Sequence, residues 1–464
     1  METTHRLPKI IQGGMGMYVS GWRLARAVAM CRQQGTLSGV CLEKALARIL
    51  QSGDPGGHLR RALSHFPFPD AVPAILEKYF VVGGIPKGKP SRDAPVLTVT
   101  PSPFLIALIV AANFSFVWLA KEGHDGIVSV NYLEKVALSH IYAVTGAMLA
   151  NVDFITVGAG IPLQFPEMIG AVAEGRTATY RVPVVGEKLT GITVEFNPTQ
   201  FFGSKLHPMK KPGFIPIIAS NLLARIFMEK LPASQQVHGF VIEEPTAGGH
   251  NAPPRRPPEY GPKDVVDYRK IAELGVPFWI GGSYASPEKL AEARAVGAQG
   301  IQTGSIFALC EESEIHPEIK KELRELGYLG KLQVSTDMNV SPTGFPFKVA
   351  RLGGTIAEQA VYDARGRVCD KQALVSLYER PDGSIGYRCP AEPLEKYVAK
   401  GGKAEETIGK DCLCNGLLST VGLNDDGEPA LVTLGDDVSF LRKLMANADD
   451  SYTAADAIKY LLGS

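Results

Sequence analysis

No sign of charge predominates in this sequence: Lys+Arg and Asp+Glu are each 48, so the formal net charge is zero. That balance excludes a general electrostatic pull toward nucleic acid or anionic lipid. The opening residues, Met1-Glu2-Thr3-Thr4-His5-Arg6, lack the apolar core of a signal peptide. Long uncharged runs are scarce as well. One of them, Phe104 to Ala120, has 17 residues, near the lower limit of a membrane span. It carries Asn113 and Ser115 and runs straight into Lys121 and Glu122, which fits a buried helix of an α/β domain better. The expectation is a cytoplasmic protein acting on a small molecule, with neither a membrane nor a nucleic-acid partner; a homo-oligomer stays open. No Cys-x2-Cys pair occurs among the seven cysteines, and no GxGxxG turn follows the first apolar run.

What is present is an alternation. Short β-branched runs (Lys9–Gln12, Thr36–Val40, Gly126–Val130, Phe154–Val157, Ile215–Ala219, Gly239–Glu243, Phe278–Ile280, Gly300–Thr303) are interleaved with helical patterns. The helical patterns are Trp22–Arg32, Leu133–Leu149, Leu222–Lys230, Val265–Leu274 and Pro287–Val296. Strand-then-helix repetition implies right-handed βαβ units and a parallel sheet. Eight strands predict an α/β fold of the (β/α)8 TIM-barrel type, with its site at the strand C-termini. A doubly wound open sheet is the alternative, which Gly13-Gly14-Met15-Gly16 fits poorly.

The 464 residues exceed one plain barrel. Residues 1–335 are assigned to the barrel, with insertions at about 41–100 and 176–213. The first insertion holds helical pieces at Leu42–Gln51 and Ala71–Tyr79 around a break at Gly53–His58. The second holds strand-like Arg181–Val185 and Gly191–Phe196. Residues 336–464 lose the alternation and are expected to form a loop-rich C-terminal extension containing a cysteine cluster.

Chemistry concentrates at the strand ends. The sixth run ends in Glu243-Glu244-Pro245-Thr246-Ala247-Gly248-Gly249-His250, which delivers an imidazole to the mouth of a pocket. Histidine exchanges protons near neutral pH. Glu243 and Glu244 are candidates to polarise it, or else solvated turn carboxylates. The seventh run ends in Gly281-Gly282-Ser283, and after the eighth come Gly304-Ser305. Loops at these two places commonly bind phosphate through backbone N–H groups. The loop Gly13-Gly14-Met15 offers a flat ring close backbone approach and a soft face, and Asn131 offers an amide that donates and accepts. A planar, phosphate-bearing cofactor suits this frame; naming it FMN, the economical choice, leans on the resemblance that follows.

The ordered set Ile10-Ile11-Gln12-Gly13-Gly14-Met15-Gly16, Ala247-Gly248-Gly249-His250, Gly281-Gly282 and Gly297-Ala298-x-Gly300-x-x-x-Gly304-Ser305 resembles the nitronate monooxygenase (2-nitropropane dioxygenase-like) family over roughly residues 8–310. The length and the segment Ser341–Lys348 look closer to a larger branch, related to enoyl reductases of polyketide and polyunsaturated fatty acid synthases. The resemblance implies an FMN-dependent barrel enzyme, with Gly13, Gly14, Met15 and Asn131 at the flavin ring. It implies Gly281, Gly282, Gly304 and Ser305 at the phosphate, Gly248 and Gly249 in the cofactor loop, and His250 as catalytic base. The expected reaction is oxidation of alkyl nitronates or similar small anions with O2. The alternatives are reduction of enoyl thioesters or a non-catalytic flavin-barrel scaffold.

Four cysteines, Cys369, Cys389, Cys412 and Cys414, fall in turn-rich sequence of the extension. Four converging thiolates would hold zinc or an iron–sulfur cluster, and this is the metal expectation. Free structural thiols and a redox disulfide are the other readings.

Overall fold

The computed structural model describes residues 7–186, 191–203, 208–425 and 427–463. The signal-peptide reading of Met1–Arg6, and parts of the second insertion, fall outside these residues. Eight parallel strands form one sheet: β1 (Ile10–Gln12), β2 (Gly35–Ser38), β3 (Val128–Leu133), β4 (Phe154–Gly158), β5 (Gly213–Ile218), β6 (Phe240–Glu243), β7 (Phe278–Gly281) and β8 (Gly300–Thr303). From β2 to β8 each strand pairs with the next, and β8 pairs with β1. The remaining gap closes at Gln34, whose N–H reaches the Ile10 carbonyl (3.1 Å) while its own carbonyl accepts from Gln12 (3.0 Å). The sheet is therefore a (β/α)8 barrel, and all eight strands fall where the sequence predicts them.

Inside the barrel, Ile11, Ile215, Ile217, Val241 and Trp279 form an apolar cluster. A hydrogen-bonded polar set accompanies it: Thr36 Oγ1 and Ser129 Oγ are 2.6 Å apart, and Gln34 donates to Ser129 (3.1 Å). Gln12, fully buried, accepts from the Thr36 N–H (2.8 Å) and donates to Ser20 (2.9 Å). Ser20 in turn donates to the Gly13 carbonyl (2.9 Å). A buried amide escapes most of its desolvation penalty when its partners are present, and here those partners fix the loop that follows β1.

The apolar run becomes a 19-residue helix, Pro103–Lys121, long and apolar enough to cross a membrane by composition. It packs instead against the helices Trp22–Met30, Leu42–Gln51, His58–Ser64 and His140–Leu149, with most of its residues buried. The first insertion holds the expected helices Leu42–Gln51 and Val72–Tyr79, plus His58–Ser64. The second contributes an antiparallel pair, Ala178–Val182 with Ile192–Phe196.

The extension does not stand apart from the barrel. Its strand Phe347–Arg351 pairs with Gln333–Asp337, and Ser376–Glu379 joins Val184–Val185 of the second insertion. Arg48 and Lys371, both buried, share Asp93 of the first insertion, and Arg48 also reaches Asp425. Met17, Val136, Val340, Phe347, Leu374, Leu413, Leu418 and Leu431 form a second apolar cluster. The extension is a roof over the barrel mouth.

Candidate functional site

Under that roof is a cavity of about 200 Å³ into which the C-terminal strand ends of interest open. It is lined by every residue the sequence nominates at the barrel: Gly13, Gly14, Met15, Asn131, Gly248, Gly249, His250, Gly281, Gly282, Gly304 and Ser305.

The wall at β1 and β3 is a close backbone approach. A Cβ on Gly14 would fall 2.4 Å from Asn131 Cβ, so only glycine fits there. The Asn131 amide donates to the Gly14 carbonyl (3.0 Å) and accepts from Thr156 (3.1 Å), which fixes its orientation. Met15 is held by its N–H to Ser20 (3.0 Å), and its sulfur lies against Gly304, bridging the first and last loops.

Opposite, the loops after β7 and β8 present donors without acceptors. The backbone N–H groups of Gly282, Ser283, Tyr284, Gly304 and Ser305 find no protein acceptor among the described residues. Gly282 has φ +106° and Ser283 φ +53°, a left-handed pair that turns successive N–H groups to one side. Two hydroxyls at this wall, Thr246 Oγ1 and Thr303 Oγ1, are buried with no hydrogen-bond partner. Ser305 Oγ accepts from the Gly435 N–H (2.8 Å), which leaves its own hydrogen free to be donated. A buried hydroxyl without a partner is rare in folded chains, and here two of them lie beside five N–H groups that have no protein acceptor. A phosphate supplies the missing acceptors, so the residues fit the phosphate end of FMN.

His250 sits on a short bridge to Phe347 of the roof. Asn251 N–H donates to the Pro346 carbonyl and Lys348 N–H to the Gly249 carbonyl (both 2.9 Å). The ring lies edge-on to Phe347, 4.8 Å between centroids. Its Nε2 hydrogen-bonds Ser341 Oγ at 2.7 Å, and Ser341, fully buried, is 2.8 Å from Thr343 Oγ1. Burial, with a smaller contribution from Lys135, pushes the imidazole down to about 4, so it is neutral at pH 7. Nδ1 has no protein partner among the described residues.

Neither glutamate polarises the imidazole. Glu244 accepts from the Tyr268 hydroxyl, and the Glu243 carboxyl group has no hydrogen-bond partner among the described residues. Ser341 takes that place. It is a residue that sequence reasoning missed, because it lies 91 positions away in a turn-rich segment.

The roof also supplies Leu374, Leu413, Cys414, Leu417, Thr433, Leu434, Gly435 and Asp437 to the cavity. Thr433 Oγ1 accepts from the Gly249 N–H (2.8 Å). A Cβ on Gly248 would meet the Leu434–Gly435 backbone at 2.9–3.0 Å, so this glycine admits the roof as well as bordering the cavity. The only signal in the sequence was an apolar run, Leu431 to Leu434, ending in Gly435.

The metal expectation is corrected. Among the described residues no group of three or more His, Cys, Asp or Glu is placed to hold a metal ion. Cys369 and Cys389 hydrogen-bond each other, which lowers the first thiol and raises the second. Cys412 accepts from Asn415 (3.5 Å), while Cys414 faces the cavity. Cys389, Cys412 and Cys414 are buried in apolar surroundings, and burial pushes the thiols of Cys412 and Cys414 up. Such thiols behave as small apolar side chains. All seven cysteines are free.

No protein-family model and no curated protein sequence matches the chain. Among solved structures, FabK from Thermotoga maritima aligns over 98% of this chain and 92% of its own, at TM-score 0.50 and 15% identity. The enoyl reductase domain of MlnA, from the macrolactin biosynthesis cluster of Bacillus amyloliquefaciens, aligns over 98% and 94%, at TM-score 0.51 and 11% identity. Nitroalkane oxidase from Streptomyces ansochromogenes aligns over 98% and 95%, at a TM-score of 0.46 and 12% identity, too low to weigh. At such identities the likeness to FabK and to the MlnA domain is one of fold, and that fold is the barrel whose mouth holds this cavity.

Proposed function

We propose that this chain is an FMN-dependent oxidoreductase whose substrate is an uncharged, conjugated acyl group such as an enoyl thioester. The supporting observation is the wall of five unpaired N–H groups and two unpaired threonine hydroxyls in one cavity, the donor set that an anionic phosphate satisfies. The likeness in fold to the enoyl reductase domain of MlnA agrees with it.

The choice of substrate rests on charge. The cavity is bordered by no lysine or arginine among the described residues; its acidic residues are Glu243 and Asp437. A small anion beyond the phosphate wall would find no lysine or arginine on the lining itself; Lys135, which acts on His250, lies outside it. An apolar acyl group finds Met17, Val40, Leu374, Leu413 and Leu417. Bound at this wall, FMN would supply hydride chemistry. The chain itself orients the ring against Gly14 and Asn131, excludes water with the roof, and holds a neutral imidazole through Ser341. Oxidation of an alkyl nitronate is the second reading, favoured by that neutral imidazole, whose Nδ1 is free to accept a proton.

Two anaerobic experiments separate the readings: flavin-loaded protein reduced by NADH or NADPH and then mixed with crotonyl thioester, and oxidised flavin-loaded protein mixed with ethyl nitronate. Reoxidation of the flavin by the enoyl thioester is the expected result. Flavin reduction by the nitronate and no response to the thioester selects the second reading. A protein that takes up no FMN ends both.

A further inference from the structure

Glu243 borders two cavities. It ends β6, in register with Gly281 at the end of β7. The residue lines the central cavity and also an outer pocket of about 170 Å³ walled by Asn251, Pro253, Arg255, Tyr260 and Asp264. Asn251 is 2% exposed and its Oδ1 has no hydrogen-bond partner, so a buried acceptor at the pocket wall awaits a donor such as water.

No neighbouring charge neutralises Glu243. Glu244 is bound to Tyr268, and Asp264 accepts the backbone N–H groups of Arg255 and Gly261. Across the central cavity, His250 is bound to Ser341, and Asp437 accepts from Ser439 N–H. Burial alone pushes the Glu243 carboxyl up to about 8, so it keeps its proton at neutral pH. His250, pushed down to about 4, carries no acidic proton there. The two groups are separated as acid and base by their surroundings.

We propose that Glu243 is the proton donor of the acyl reduction, and that the outer pocket at Asn251 and Tyr260 is the route by which solvent returns its proton. The inference rests on the flavin-oxidoreductase reading. In the balanced step, the β-carbon of the enoyl group gains a hydride that originates in a nicotinamide dinucleotide and passes through the flavin. The α,β π bond breaks and its electron pair moves to the α-carbon. That pair takes the proton as the Glu243 O–H bond breaks, and water of the outer pocket reprotonates the carboxylate.

The test is Glu243→Gln. The variant is expected to bind FMN and be reduced by NAD(P)H within about twofold of the unsubstituted protein, while its reoxidation by crotonyl thioester slows about 100-fold or more. A carboxylic-acid infrared band that titrates near pH 8 in the unsubstituted protein is expected to be missing from the variant, with or without flavin. Equal reoxidation rates, or the same band in the variant, overturn the proposal. If the variant does not fold, the unsubstituted protein decides: its reoxidation rate must fall as pH rises above about 8, and a rate flat from about pH 7 to 9.5 overturns the assignment. Failure to bind or reduce flavin would instead refute the parent reading, and the infrared titration would still judge the carboxyl.

Discussion

Replacing Gly282 by alanine tests whether the loop after β7 is built for a phosphate. Gly282 has φ +106°, where a side chain is strained. A Cβ there would lie 2.8 Å from Thr246 Oγ1, 3.0 Å from Glu244 Cβ and 3.2 Å from the Glu244 carbonyl. The backbone conformation costs about 1–2 kcal/mol, and Thr246, β-branched and stiff, yields little. A total near 2–3 kcal/mol follows. That cost appears in one of two places. A loop that keeps its shape lowers the stability of the flavin-free protein. A loop that relaxes without flavin must be forced back on binding, which weakens affinity about tenfold per 1.4 kcal/mol.

The two measurements are the unfolding free energy of the flavin-free protein and the FMN dissociation constant from quenching of flavin fluorescence. Their losses should sum to about 2–3 kcal/mol. Gly275→Ala is the control: φ is +73°, but nothing lies within 4 Å of its Cβ. It should cost stability alone and leave FMN binding unchanged. A Gly282 variant with unaltered stability and unaltered affinity would refute the cradle.

Ser341→Ala strips the partner from His250 Nε2 (2.7 Å) inside a fully buried turn. It should cost about 1–3 kcal/mol and lower turnover with FMN binding retained, whereas unchanged turnover and pH profile would deny Ser341 its positioning role. His140, fully buried, is pushed down to about 4 by burial. Its folded form resists protonation while the unfolded form takes a proton below about 6.5, so stability is lost as pH falls from about 6.5 to 4. Urea unfolding should show about 2 kcal/mol of this loss near pH 5, absent from His140→Gln. Because no group of three or more possible ligands converges among the described residues, chelator treatment should leave the melting temperature unchanged; one zinc per chain by metal analysis would contradict this.

The barrel was legible because strands buried on both faces are continuous apolar runs with abrupt ends. Phe154-Ile155-Thr156-Val157 and Phe240-Val241-Ile242 are of this kind, and glycine or acid follows each. Boundaries suffered where one pattern overlaps another. The helical pattern from Leu133 begins too early, because β3 runs to Leu133 beside β4, and the helix starts only at His140. Val265–Leu274 shortens to Tyr268–Ala272, with Asp267 accepting from the Arg269 N–H as cap and Val265 left exposed. His58–Ser64 hides behind Gly56-Gly57, which read as a break but form a left-handed entry to a helix.

The site divides along the same line. Its barrel half was readable because a backbone that must approach a ligand selects glycine, and glycine pairs at strand ends are visible one strand at a time. Its roof was not, because roof residues are chosen by what they meet across the cavity: Thr433 by the Gly249 N–H, Gly435 by Ser305, Ser341 by His250. None of these pairs leaves a local pattern. The consequence reaches function. The imidazole that looks like a strand-end residue is oriented, desolvated and kept neutral by the last part of the chain. Truncation before Gln333 should therefore remove the His250 environment together with the apolar acyl wall, even if the eight strands persist.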